Sequence, residues 1–165
     1  REINEHASNL KLKGRKISAL IIRAHGSQEL MILGPKNPSQ IYAITPIAKI
    51  FLKETFDNLE PDAPIILESC STGKLDENGR CIAKSIANYA KRTVFAPNED
   101  AEAISVRYTL KKDKLTASFY NRKKTNFSGF FGSLLNAFYE IMYVVFRVDY
   151  LSKNISSEFK PEHSS

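Results

Sequence analysis

The stretch that most constrains the fold runs from Ile65 to Gly73, with the sequence Ile-Ile-Leu-Glu-Ser-Cys-Ser-Thr-Gly. Its apolar first half predicts a buried strand, because a continuous apolar run is typical of a parallel strand covered on both faces. The strand breaks off in small polar residues that include one cysteine, Cys70. In open α/β sheets, the carboxyl ends of the strands form the edge where ligands bind. The sequence therefore predicts that the Cys70 thiol lies at this edge.

A second apolar run shows the same pattern. Residues 17–24 predict a strand that ends at His25 and Gly26. Parallel strands ending in histidine and in cysteine bring an imidazole and a thiol to the same edge of a sheet. A cysteine nucleophile needs a base that takes the thiol proton and donors that stabilise the oxyanion. We therefore predict His25 as the base, Cys70 as the nucleophile, and the backbone N–H groups of Gly26 and Cys70 as oxyanion donors.

The order of the predicted elements is that of an α/β sandwich with a mainly parallel sheet, because strands alternate with helices. Residues 1–16 predict a basic segment or a short helix. The predicted strands cover 17–24, 29–33, 65–69 and 93–96. One predicted helix begins at Thr45, and a second spans about 80–91. Alternating apolar residues in 104–110 and 115–119 predict an antiparallel hairpin that extends this core.

The C-terminal third of the sequence is harder to place. A basic linker over 121–126 precedes residues 128–151, which predict a long hydrophobic helix. Polar residues interrupt its apolar surface, so packing against the sheet or a partner is favoured over membrane contact. The polar residues 152–165 predict a flexible, frayed tail.

Length and composition indicate one ordinary globular domain over residues 1–165. The chain opens with Arg1 rather than methionine, which predicts a fragment or a processed product. A net charge of +6 suits an anionic partner but is too small to predict a nucleic-acid partner. Two cysteines do not form a disulfide framework, which favours a reducing compartment such as the cytoplasm. Secretion as an effector into a host cell remains the alternative.

These motifs resemble clan CD cysteine peptidases, the group of caspases, metacaspases, legumains and the self-cleaving domains of large bacterial toxins. Residues 68–73 are similar to the legumain and metacaspase pattern of acid, small residue, cysteine, variable residue, small residue and glycine. They also resemble the cysteine segment of CHAT domains. The resemblance covers about residues 17–100. It implies a caspase-like three-layer sandwich in which His25 and Cys70 cleave a protein or peptide substrate through an acyl-enzyme.

The resemblance also implies substrate-binding residues. Glu68 matches an acidic position that lines the pocket for the residue before the scissile bond, the P1 residue. A carboxylate there favours a basic P1 residue, or asparagine where a nearby arginine balances the charge. Held by a backbone amide or a lysine, Glu68 would instead have a structural role. Asn98, Glu99 and Asp100 follow the next strand and are predicted to form another wall of the pocket.

One departure from the family concerns the strands before His25. The family places two strands there, whereas sixteen residues precede Ile17 in this chain. The sequence therefore predicts either a reduced sheet or a sheet completed by a second chain or an upstream segment. The hydrophobic helix over 128–151 also has no counterpart in the family pattern.

The spacing of the residues around Cys70 does not match the motifs of phosphate binding, phosphatase activity or zinc binding. A Walker loop needs glycine and Ser or Thr at the positions of Glu68 and Leu75. A cysteine phosphatase loop needs arginine where Asp76 stands. The cysteines and histidines offer no paired zinc spacing, so no metal and no cofactor are expected. Cys81 lies on the apolar stripe of a predicted helix and is more simply a buried thiol than a disulfide partner of Cys70.

Two further functions remain open from the sequence. One is a non-catalytic caspase-like scaffold, in which the hairpin and the hydrophobic helix bind a partner. The other is a module regulated by a polyanion, with an inositol phosphate as the anionic small-molecule activator, as in the toxin domains of the clan. The basic residues available for a polyanion are Lys11, Lys13, Arg15, Lys16 and Arg122 to Lys124.

Overall fold

The computed structural model describes residues 2–32, 43–44, 52–100, 104–121 and 153–162. The helices are α1 (Glu2–Leu12), α2 (Lys53–Asp57) and α3 (Ile82–Ala90). The strands are β1 (Leu20–Arg23), β2 (His25–Gly26), β3 (Met31–Ile32), β4 (Ala43–Ile44), β5 (Ile65–Glu68), β6 (Val94–Pro97), β7 (Ile104–Lys111), β8 (Lys114–Asn121), β9 (Lys153–Asn154) and β10 (Ser156–Phe159). The helix start predicted at Thr45, the basic linker after Asn121 and the helix predicted over 128–151 lie outside the described residues.

The central sheet has the strand order β1-β5-β6-β10. Strands β1, β5 and β6 run parallel, and β10 is antiparallel to β6. The protein is therefore a mixed α/β fold with a mixed sheet, which confirms the predicted fold class at this level. In the ladder between β1 and β5, the last paired residues are Arg23 and Glu68.

The first three residues of β5 are apolar because both faces of the central sheet are covered. Ile65 and Leu67 belong to a core that includes residues of α2 and α3. Ile66 points to the opposite face, where it joins a second core that contains Phe119 and Ile155. All five side chains are fully buried. A half-exposed strand would have alternated apolar and polar residues instead.

Two smaller antiparallel sheets flank the central one. The first has the strand order β2-β3-β4. His25 and Gly26 are therefore not only the end of a strand, because they form β2 and pair with β3. In the second, β7 and β8 form the predicted hairpin, which β9 extends. Its turn residues Lys112 and Asp113 have φ angles of 48° and 62°, the left-handed values that a type I′ hairpin turn requires.

The end of the chain differs from the predicted frayed tail, because β9 and β10 lie in this segment. Ile155, the residue between the two strands, is fully buried, and Phe159 packs against the core that includes residues of α2 and α3. The Glu162 carboxylate pairs with Lys84 of α3, and its backbone N–H donates to the Asn88 side chain at 2.8 Å. Two apolar residues in a polar stretch are too weak a pattern to predict a strand.

No helix in the described ranges combines the length and the apolar character that a membrane crossing needs.

Candidate active site

His25 and Cys70 follow two neighbouring parallel strands. The paired residues Arg23 and Glu68 end the ladder between β1 and β5, and His25 and Cys70 each lie two residues further along. The contact continues past the ladder, because the Ala24 N–H donates to the Glu68 carbonyl at 3.3 Å. Neighbouring strands lie about 5 Å apart. The two predicted catalytic residues therefore leave the sheet from adjacent backbone positions, with His25 exposed and Cys70 half-buried.

Gly26 packs directly on the turn that carries Cys70. A methyl group on Gly26 would lie 2.2 Å from Ser69 Oγ, 3.0 Å from the Leu30 carbonyl oxygen and 3.1 Å from Thr72 Cγ2. Atoms at such distances overlap, so a side chain at this position requires the structure to shift. The histidine segment and the cysteine segment are therefore in close contact, and this contact favours glycine over a residue with a side chain.

The backbone N–H of Gly26 is not used in the small sheet. The Ser27 N–H donates to the Leu30 carbonyl at 2.8 Å, and Gly26 stands opposite Met31. Hydrogen-bonded and non-hydrogen-bonded pairs alternate along an antiparallel ladder. The Gly26–Met31 pair is thus of the non-hydrogen-bonded kind, and the Gly26 N–H points away from β3.

The Cys70 turn, residues 69–73, is held by the last residue of β6 and by the residues that follow this strand. The Ser71 N–H donates to the Glu99 carbonyl at 3.2 Å, and the Gly73 N–H donates to the Pro97 carbonyl at 2.8 Å. The Ser71 hydroxyl donates to Asp100 Oδ1 at 2.6 Å. Ser71 itself has a φ of 52°, a left-handed conformation that is rare for a residue with a Cβ atom.

Helix α3 begins beneath both segments. Its first two N–H groups donate to the Gln28 carbonyl at 2.9 Å and to the Thr72 carbonyl at 3.1 Å. Cys81 is the N-cap residue, and its Sγ accepts a hydrogen bond from the Lys84 N–H. Burial raises the pKa of the Cys81 thiol. Cys70 and Cys81 are not joined in a disulfide, and of the two Cys70 is the one at the sheet edge.

Glu68 is buried and paired with an arginine. The Glu68 side chain is 5% exposed, whereas that of Arg23 is 81% exposed, and Arg23 Nε donates to Glu68 Oε2. The second oxygen, Oε1, is buried and has no hydrogen-bond partner among the described residues. Burying an unpaired carboxylate oxygen is unfavourable, so this atom is a natural acceptor for a ligand N–H group. In the part of the chain that the structure describes, the side-chain partner of Glu68 is Arg23 and not a backbone amide or a lysine.

The three residues predicted to form the pocket wall, 98–100, differ in whether their side chains have partners in the protein. The Asn98 N–H donates to the Ile155 carbonyl at 2.8 Å, while its side-chain oxygen is buried and has no partner within the described ranges. The Glu99 carboxylate pairs with Lys153. The Asp100 carboxylate accepts a hydrogen bond from the Ser71 hydroxyl. Glu99 and Asp100 therefore have protein partners, and Asn98 keeps an unpaired group for a ligand.

Sequence reasoning did not single out Arg23 or Ser71. A signal existed for Arg23, since it is the only charged residue in the run 17–24. No signal existed for Ser71, because its left-handed φ depends on contacts with Glu99 and Asp100.

The remaining candidates lie elsewhere or outside the described residues. Lys11, Lys13, Arg15 and Lys16 are all exposed in and after α1. Arg122 to Lys124 fall in the part of the chain that is not described. Among the side chains that are described, His, Cys, Asp and Glu form no group that could hold a metal ion.

The chain belongs to the family described as a domain of unknown function, DUF8616, whose model matches residues 1–115. The matched segment includes His25, Gly26, Glu68 and Cys70. Comparison with curated proteins and with solved structures gives no match. What the protein does has to be inferred from the geometry of the candidate site.

Proposed function

We propose that the protein is a cysteine endopeptidase of the clan CD type, with His25 as the base and Cys70 as the nucleophile. The observation that supports this most is the parallel pairing of β1 with β5, from which both residues depart in register. The close contact of Gly26 with Ser69 supports the same pairing. The proposal includes a caspase-like sandwich. Within the described residues β1 pairs only with β5, so its other edge is where a further strand would add.

The proposed reaction is an acyl transfer in two steps. His25 takes the thiol proton of Cys70, and the thiolate attacks the scissile carbonyl carbon to form a C–S bond. The Gly26 N–H, together with the predicted Cys70 N–H, donates to the oxyanion. The C–N bond then breaks, and His25 returns its proton to the leaving amine. In the second step His25 takes a proton from water, whose oxygen attacks the thioester, and the acid product leaves as the Cys70 thiol is restored.

The proposed substrate carries asparagine at P1. Arg23 already balances the charge of Glu68, so the pair offers no net charge to attract a lysine or arginine. A carboxamide fits this pair, because its NH₂ donates to Glu68 Oε1 and its oxygen accepts from the exposed Arg23 guanidinium. Of the two P1 classes that the sequence predicts, the ion pair therefore favours asparagine over a basic residue.

The test is a cleavage profile over a peptide library with all twenty residues at P1. Wild type and Cys70→Ala are compared, with Cys81→Ser as the matched control because serine retains an N-cap acceptor for α3. We expect wild type and Cys81→Ser to cleave after asparagine and Cys70→Ala to be inactive. Wild-type cleavage no higher than that of Cys70→Ala at every P1 residue would contradict the proposal and favour the non-catalytic scaffold.

A further inference from the structure

Ser71 has a backbone conformation that needs external support. Its φ of 52° places it in the left-handed region, where the Cβ atom of an L-residue is crowded. Such residues persist where surrounding contacts over-determine the conformation, and they concentrate at functional sites. Ser71 is 3% exposed and directly follows the proposed nucleophile.

Two hydrogen bonds supply this support, and both come from the segment after β6. The Ser71 N–H donates to the Glu99 carbonyl at 3.2 Å. Because the peptide unit between Cys70 and Ser71 is planar, fixing this N–H also fixes the ψ angle of Cys70. The Ser71 hydroxyl donates to Asp100 Oδ1 at 2.6 Å, a hydrogen bond to a charged acceptor that is stronger than a neutral one.

The supporting segment is itself anchored. The Asn98 N–H donates to the Ile155 carbonyl at 2.8 Å, and Ile155 is fully buried. The carbonyl of Asp100 accepts from the Asn121 side chain at 3.4 Å. The backbone that carries the Asp100 carboxylate is thus anchored to the Asn121 side chain of β8 and to the carbonyl of the residue between β9 and β10.

We propose that Ser71 and Asp100 are positioning residues for Cys70: their hydrogen bond holds the Cys70 turn in the left-handed conformation that presents the thiol at the sheet edge. This rests on the proposed function, in which Cys70 is the nucleophile. Asp100 then acts through Ser71 and not as a wall of the substrate pocket.

The test compares Ser71→Ala, Ser71→Gly, Asp100→Ala and Asp100→Asn in a Cys81→Ser background, where Cys70 is the single thiol. Asparagine keeps an acceptor oxygen for the Ser71 hydroxyl, and alanine does not. Three quantities are measured: kcat and KM for peptide cleavage, the rate of Cys70 alkylation by iodoacetamide, and Tm. Ser71→Gly relieves the left-handed strain, so it separates loss of positioning from loss of folding.

We expect Ser71→Ala, Ser71→Gly and Asp100→Ala to lower kcat and the alkylation rate at least about tenfold, with KM changed less than about twofold. Asp100→Asn should restore both rates to within about threefold of the parent. Equal losses in Asp100→Asn and Asp100→Ala, or a change in KM alone, would overturn the inference and return Asp100 to the substrate pocket. So would unchanged rates in all four variants of an active parent.

The two proposals fail differently. If the parent cleaves no peptide, the proposed function fails, while the alkylation rates still test whether Ser71 and Asp100 position the thiol. If the parent cleaves peptides and the variants match it in both rates, only the positioning role fails.

Discussion

Replacing Gly26 by alanine is expected to lower kcat/KM for peptide cleavage by at least about a hundredfold, the loss typical of a displaced oxyanion donor. The added methyl group would meet Ser69 Oγ at 2.2 Å, with the Leu30 carbonyl and Thr72 close behind. The Ser69 hydroxyl can rotate, but the Leu30 carbonyl and Thr72 Cγ2 still crowd the added methyl group, so we expect the histidine segment to move away from the Cys70 turn. Overpacking of this kind also costs about 1–3 kcal/mol in the free energy of unfolding. Kinetics on the purified variant and denaturant unfolding measure the two effects.

Two controls separate the clash from general destabilisation. Gly14 has a φ of 66° and open space around it, so Gly14→Ala strains the backbone by about 1–2 kcal/mol without touching the site. It should lose stability and keep kcat/KM. In the second control, Ser69→Ala removes the nearest clashing atom. The double variant Gly26→Ala/Ser69→Ala should be more stable than the sum of the single changes predicts. A Gly26→Ala protein with wild-type kcat/KM would contradict the proposed packing.

Replacing Arg23 by alanine is expected to change the P1 preference from asparagine to lysine and arginine. The substitution leaves the buried Glu68 carboxylate without its cation, and a basic P1 side chain can replace it. A charge-assisted pair of this kind is worth about 1.5–3 kcal/mol, so the ratio of kcat/KM for basic over asparagine substrates should rise on the order of 10- to 100-fold. The peptide library used for the wild type measures this ratio directly.

The matched control is Arg107→Ala, since Arg107 is exposed on the hairpin and stacks over Tyr120. It removes the same charge from an exposed residue that is not paired with Glu68 and should leave the P1 profile as it is. Arg23→Lys keeps a cation near Glu68 and should retain more of the asparagine preference than Arg23→Ala. An unchanged P1 profile in Arg23→Ala would remove Glu68 and Arg23 from the substrate pocket.

The parts of the fold that local patterns specify could be predicted from the sequence. Ile65 to Leu67 of β5 form a continuous apolar run because both faces of the strand are buried, and α3 begins and ends within two residues of the predicted bounds. The alternation of apolar and polar residues predicts the hairpin of β7 and β8, and in β8 it matches burial, because Ala117 and Phe119 are buried. In β7 it does not, because Tyr108 and Leu110 are exposed although they continue the apolar alternation.

The parts that depend on which elements become neighbours could not be predicted. The ion pair of Arg23 with Glu68 requires the register of β1 against β5, and nothing in either strand alone encodes it. Strand β10 owes its place to Ile155 and Phe159, two isolated apolar residues in a polar segment. The left-handed Ser71 likewise depends on a loop that lies about thirty positions along the chain.

The most direct test of the dyad is the alkylation of both cysteines in one molecule. Iodoacetamide labelling near neutral pH, followed by mass spectrometry of the peptides, gives a rate for each thiol. Cys70 should react on the order of a hundredfold faster than Cys81, whose thiol is buried and whose pKa is raised by that burial. His25→Ala should slow Cys70 at least about tenfold and leave Cys81 unchanged, while His6→Ala, an exposed histidine of α1, should change neither rate. Equal, slow labelling of the two cysteines, or a Cys70 rate that does not respond to His25→Ala, would contradict the account.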